Sequence, residues 1–256
     1  MKRLIAILAL LSLTAPALAQ DAVEDPPIPQ PRPEGLGETQ GDTLTQKPET
    51  DITEGQDPEP ADSETGELER IYQAACPALI SGRIVGEMIP PLSEGTCGQQ
   101  SPIALDAIAL NGRQIALPGR PVTSCSVATA LADWAEDVDA YADAALGTRI
   151  ESLATGPGYQ CRLRNGADTG FVSEHGLGNA VDISAITMAD GRSITILDDW
   201  ETRAASEEGQ FLSFAHSSAC TGFTTVLGPE ANADHEDHFH FDLGCHGQSC
   251  TARICD

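Results

Sequence analysis

Between Val127 and Ala145 the apolar residues Val127, Leu131, Trp134, Val138, Tyr141 and Ala145 return every three or four positions, while Asp133, Glu136, Asp137 and Asp139 fall largely between them. This period predicts an amphipathic helix over 126–147, with Ser126 as its N-cap and the apolar stripe facing a core. Two further helices are predicted: a short one over 67–75, closed by Pro77, and a longer one over 200–214 carrying Phe211, Leu212 and Phe214. Elsewhere the apolar stretches are short and end at Gly, Pro, Asn or Asp, at 83–89, 114–117, 159–163, 180–186, 193–197, 223–227 and 238–243. The intervals are mostly too short for repeated strand-helix-strand crossovers. The pattern therefore predicts an α+β fold, a small antiparallel sheet flanked by helices.

The N-terminal quarter of the 256 residues departs from this pattern. Residues 1–19 carry two basic residues, an apolar run from Leu4 to Leu13 and the small-x-small end Ala17-Leu18-Ala19, which reads as a secretory signal peptide. The run is too short to span a bilayer, which takes about 20 residues. No other stretch approaches that length, so the expected product is exported, to the periplasm or beyond, with no transmembrane segment. Residues 20–66 hold eight of the 17 prolines and 13 carboxylates against only Arg32 and Lys47. With so few large apolar residues this segment cannot offset its chain entropy by burial, and it reads as a disordered acidic linker. Residues 67–256 remain as one domain with room for a core.

Charge and composition then remove whole classes of function. With 39 acidic against 14 basic residues the net charge is −25, which excludes a basic nucleic-acid binder. Lysine occurs only at Lys2 and Lys47, so the domain has no Ser-x-x-Lys nucleophile, no phosphate-binding Gly-Lys-Ser/Thr loop and no amine for Schiff-base chemistry. All eight cysteines (Cys76, Cys97, Cys125, Cys161, Cys220, Cys245, Cys250 and Cys255) lie in the domain. An even count in an exported chain points to disulfides, with a cysteine zinc cluster as the rival, although no Cys-x-x-Cys pair is present. The chemistry is left to His, Asp, Glu, Ser and Arg.

Four of the six histidines sit in two places, His175 in SEHGLGNAVDIS and His235, His238 and His240 in DHEDHFHFDLG. If 238–243 is a strand, His238, His240 and Asp242 share one face, and Phe239, Phe241 and Leu243 the other. Gly176 and Gly178 permit a tight loop after His175, and Asp182 follows on a strand. His175, Asp182 and His240 can then converge as two imidazoles and one carboxylate, a catalytic zinc set with a fourth position open for water. Imidazole nitrogen favours Zn2+ over calcium or magnesium. The bland alternative is a surface cluster of histidines satisfied by Asp234, Glu236 and Asp237.

Ser173-Glu174-His175, Gly178, Ala180 and Asp182 resemble the S-x-H-x-x-G-x-A-x-D signature of the D-alanyl-D-alanine metallopeptidases, a group related to lysostaphin-type enzymes, and His238-Phe239-His240 is similar to the H-x-H that completes their zinc site. SEHGLGNAVDISAI, Asp190-Gly191-Arg192, Cys220 and Phe223 with VLGP at 226–229, and HEDHFHFD resemble more closely the bacterial extensin-like C-terminal domain family, over roughly 67–255. The resemblance implies a D-Ala-D-Ala metallopeptidase-like fold with His175, Asp182 and His240 as zinc ligands. It implies His238 as general base in members with H-x-H, or Asp237 where a carboxylate three residues before the last ligand serves; His235 is the substitute if either assignment fails. Arg162, with Arg164 as competitor, matches the G-Y-R arginine that holds a substrate carboxylate or oxyanion, and Ser173 either touches substrate or caps its loop. The implied activity is zinc-dependent hydrolysis of peptide bonds in cell-wall peptidoglycan. The alternative is a non-catalytic cell-wall- or metal-binding module of the same fold.

Overall fold

The computed structural model describes residues 71–256. The expected signal peptide, the acidic linker and residues 67–70 of the first expected helix lie outside the described residues. In chain order the strands are β1 (Ile84–Met88), β2 (Leu92–Glu94), β3 (Cys97–Gln99), β4 (Ile103–Leu110), β5 (Arg113–Ala116), β6 (Val122–Thr123), β7 (Ile150–Thr155), β8 (Ala180–Met188), β9 (Ser193–Thr195), β10 (Thr225–Leu227), β11 (Phe239–Asp242) and β12 (Ile254–Cys255). The helices are α1 (Pro77–Ile80), α2 (Cys125–Leu146), α3 (Ile196–Asp199) and α4 (Glu207–Ala219).

Ten strands form one sheet in the order β1-β4-β5-β7-β8-β11-β10-β12, with β6 on β4 and β9 on β8, while β2 and β3 make a separate hairpin. Only β5–β7 and β10–β12 pair in parallel. The domain is thus mixed α and β, mostly antiparallel as expected, but its sheet is large rather than small. The difference lies chiefly in β4, whose IALDAIAL is buried almost throughout. A strand covered on both faces shows no polar alternation, and its alanines carry no strand signal.

Local hydrogen bonds explain the shifted helix ends. The described part of the 67–75 segment, from Ile71 onward, is not helical; α1 begins at Pro77. Proline suits a first helical turn, where its missing N–H costs nothing. Helix α2 is capped by Ser124, not Ser126, because the Ser124 side chain accepts from the Val127 N–H, and Gly147 ends it at φ +64°. The expected 200–214 helix is divided: a 3-10 turn covers Trp200–Thr202, and α4 restarts where Ser206 Oγ accepts from the Gly209 N–H at 2.9 Å. Segment 159–163 forms no strand, contributing only an isolated bridge from Leu163 to Val172. Gly158 turns the chain at φ +72° just before it, and Cys161 is tied to Cys97.

The expected stripe of α2 is core over most of its length: Val127, Leu131, Trp134 and Val138 are buried against the sheet and α4, Tyr141 is half-buried beside them, and Ala145 is exposed. Trp134 donates its Nε1–H to the Ala215 carbonyl at 2.8 Å and meets Phe241 edge-on at 5.4 Å, which fixes α2, α4 and β11 together. Asp139, which the sequence pattern leaves among the polar positions, is fully buried and ion-paired to Arg113 and Arg149.

All eight cysteines pair, as Cys76–Cys125, Cys97–Cys161, Cys220–Cys255 and Cys245–Cys250. The bridges fit an oxidising compartment and leave no thiolate for a cysteine metal cluster. Among the described residues no helix is long and apolar enough to cross a membrane.

Candidate metal centre

Strand β11 carries alternating payloads, as expected. Phe239 and Phe241 enter the core, whereas His240 and Asp242 face the other way into a polar site. Antiparallel pairing with β8 sets His240 directly opposite Asp182. The third group arrives on a 3-10 turn, Glu174–Leu177, capped by Ser173, whose side chain accepts from the His175 N–H, and ended by Gly178 at φ +61°. His175 Nε2, Asp182 Oδ1 and His240 Nδ1 form a triangle with sides of 3.1, 3.2 and 3.0 Å.

The contacts behind this triangle fix which nitrogen faces it. His175 Nδ1 lies 2.6 Å from the Gly158 carbonyl and must donate to it, so Nε2 keeps a lone pair. His240 Nε2 lies 3.0 Å from Asp242 Oδ2 and donates to that carboxylate, which leaves Nδ1 toward Asp182. Three electron-pair donors thus meet at one point, an arrangement only a cation stabilises. Without a metal that cation is a proton. Burial works against charge on His240, but hydrogen bonds to Asp182 and Asp242 prevail and push it up to about 9. Burial likewise opposes ionised Asp182, yet the adjoining His175 and His240 rings outweigh it and hold its carboxyl well below the usual range. The same balance of burial against hydrogen bonds from His240 and the Gly244 amide keeps Asp242 ionised.

The three atoms also lie close enough together to share one metal ion. Ligand distances of about 2.0–2.1 Å in a tetrahedron put donor atoms about 3.3 Å apart, close to the observed sides. Imidazole donors with outer hydrogen bonds to a carbonyl and a carboxylate are the usual support of such a site.

The other expected residues cluster around it. His238 Nε2 lies 3.8 Å from Asp182 Oδ1, and His238 Nδ1 is 2.8 Å from Asp237 Oδ1. Asp237 therefore reaches the centre only through His238. His235 Nδ1 is held by Asn232 Oδ1 at 2.9 Å. Burial, then the nearby His240 and His238, push its pKa down and keep its ring neutral. Two adjoining clefts of about 240 and 370 Å³ open beside the triangle and share Arg162, Asn165 and His235. Among the described residues the Arg162 guanidinium has no carboxylate within 4.0 Å and no hydrogen-bond partner, whereas that of Arg164 is taken by Glu174 at 3.1 Å. Ser173 lines the smaller cleft as well as capping its turn.

Sequence reasoning missed the outer partners. Asp242 was legible as a residue sharing the face of His240, but its role as a hydrogen-bond acceptor was not. The Gly158 carbonyl left no side-chain signal at all. Gly176 is the other silent support: a Cβ there would lie 2.9 Å from Cys97 Sγ and 2.8 Å from Val172 Cγ1, so the His175 turn rests directly on the Cys97–Cys161 bridge. Gly176→Ala is expected to cost about 1–3 kcal/mol of stability through overpacking. It should also weaken zinc binding, as thermal unfolding and a zinc titration of the same sample would read.

Fold and site together define a disulfide-stapled α/β domain with a candidate His2Asp metal centre on its sheet. The chain belongs to the family described as extensin-like protein C-terminus, whose model matches residues 73–256. No curated protein and no solved structure matches it.

Proposed function

We propose that this chain is an exported zinc-dependent hydrolase of peptide bonds in cell-wall peptidoglycan, with the site arrangement of a D-Ala-D-Ala metallopeptidase. The observation that carries the reading is the triangle of lone-pair atoms from His175, Asp182 and His240, backed on two sides and open to clefts beside an unpaired arginine. These three residues would hold the ion. Zinc, when bound, supplies a Lewis acid for the scissile carbonyl and lowers the pKa of water.

The protein's own groups do the rest. His238 donates Nδ1–H to Asp237 and so presents the Nε2 lone pair next to Asp182, in position to take the proton of the attacking water and return it to the leaving amine. Asp237 orients this ring. Arg162 offers its guanidinium fork to a substrate carboxylate or to the developing oxyanion. In a domain whose 10 arginines face 26 carboxylates, anionic wall polymers are not attracted over distance, so recognition rests on such local contacts.

The test is His238→Ala. It should retain one zinc per chain and lose about 10²–10⁴-fold in kcat on wall-derived peptides. Unchanged turnover would remove His238 from the mechanism, and wild-type protein that binds zinc and wall peptides without turnover would instead favour a non-catalytic binding module.

A further inference from the structure

The sheet face that carries the centre does not end at β11. His240 and Asp242 lie directly opposite Leu227 and Thr225 on β10, and Thr225 in turn lies opposite Ile254 on β12, the last strand of the sheet. Residues paired across strands project to the same side. Val226 between them is core, as are Phe239 and Phe241, so Thr225, Leu227 and Ile254 continue the face of the metal centre out to the sheet edge. All three line the 240 Å³ cleft together with His240 and Asp242. Leu227 is half-buried and Ile254 is 42% exposed, so the floor presents aliphatic surface to the cleft.

The polar side of this cleft is unbalanced. Its two carboxylates are already engaged: Glu174 accepts from Arg164 Nη2 at 3.1 Å and Asn179 Nδ2 at 2.8 Å, and Asp242 accepts from His240 Nε2 at 3.0 Å and the Gly244 N–H at 2.8 Å. Donors are left over. The Arg162 guanidinium and the Asn165 side-chain amide have no partner among the described residues. Asn232, whose Oδ1 is taken by the Asp234 N–H and the His235 ring, keeps its amide hydrogens. An aliphatic floor beside unpaired donors is complementary to an aliphatic group that carries an anion.

We propose that Leu227 and Ile254 are specificity-determining residues, the floor of a subsite for a substrate residue with an aliphatic body and a free carboxylate, which Arg162, Asn165 and Asn232 receive. This rests on the proposed cleavage of wall peptides and narrows it: the residue lying in this cleft is acidic. A basic residue would set its cation beside Arg162 with no unengaged carboxylate to meet it, and such like-charge juxtaposition excludes wrong partners.

The probes are wall-derived muropeptides with their carboxylates free, and the same muropeptides with those carboxylates capped as primary amides. Binding to the full chain is read by calorimetry in the zinc-loaded His238→Ala background, where consumption is slow, and hydrolysis is followed in the wild-type background. Capping should weaken binding about tenfold. Leu227→Asn, which keeps the side-chain size and removes its apolar surface, should weaken both forms about tenfold. Ile254→Lys should tighten the free form about threefold and Ile254→Asp weaken it by a similar factor, whereas the capped form should not distinguish these two variants. The thermal midpoint of each variant is recorded; if Leu227→Asn loses the fold, the exposed position 254 decides the inference alone. Equal binding of free and capped muropeptides, binding of neither, or the same response of both forms to Lys and Asp at 254 would each overturn it. Absence of hydrolysis with these binding differences intact removes the catalytic reading and leaves the subsite. Hydrolysis that treats free and capped probes alike removes the subsite and leaves the catalytic reading.

Discussion

Replacing His240 by alanine is expected to abolish stoichiometric zinc and, with it, all hydrolysis. The effect should exceed the roughly 10–100-fold cost of losing an outer partner, because one of only three donors is gone and the remaining His175 and Asp182 cannot close the site. The strand itself should survive. Phe239 and Phe241 anchor β11 in the core from the opposite face, and pairing with β8 and β10 uses the backbone. A variant that melts close to wild type, lacks zinc and is inactive satisfies the prediction; measured zinc content near one per chain would contradict it.

Asp139→Ala should produce the largest loss of stability among single side-chain changes on the polar side of α2. The buried carboxylate accepts from Arg149 Nε at 3.0 Å, Arg113 Nη2 at 2.8 Å and the Ile150 N–H at 2.9 Å. Removing one partner of a buried pair costs about 3–5 kcal/mol. The arginine side chains are 36% and 31% exposed and can turn to water, so the lower end, about 3 kcal/mol, is expected. At this domain size that corresponds to roughly 6–12 °C in Tm. Burial alone would raise the Asp139 pKa, but the bonds from Arg149, Ile150 and Arg113 outweigh it and hold the carboxyl below its usual value. A depressed folded pKa contributes stability that is fully present above the unfolded value of about 3.9 and is lost as pH falls through the folded one. The difference in Tm between wild type and Asp139→Asn should therefore narrow on acidification below about pH 4. A constant difference would mean that the ion pair is not what the carboxylate contributes.

The same residue marks a limit of sequence reading. Asp139 looks like a solvated position of α2, because nothing local announces that Arg113 on β5 and Arg149 before β7 will meet it. The stripe beside it was legible, since Val127, Leu131, Trp134 and Val138 repeat with the helix period and that period is a local property. Strand β4 was not legible, because burial on both faces removes the alternation by which strands are found. The 200–214 helix was found but misplaced, Ser206 being as good a cap in fact as it was inconspicuous in the pattern.

The centre divides in the same way. His240 opposite Asp182, Phe239 and Phe241 turned inward, and the tight turn at His175 all follow from period-two alternation and from two glycines. The Gly158 carbonyl and the Cys97–Cys161 bridge under Gly176 depend on chain crossings that no spacing records. The pairing of eight cysteines was likewise undetermined by count alone, although it removed the cysteine cluster once the topology brought each pair together.

Zinc-dependent cleavage of wall peptides is the proposed role of the three-donor centre. The most direct measurement is mass analysis of muropeptides incubated with the zinc-loaded chain, with and without a chelator. The expected result is peptide products whose masses sum to substrate plus one water, appearing only when zinc is present. Muropeptides left intact by protein carrying a full complement of zinc would contradict it.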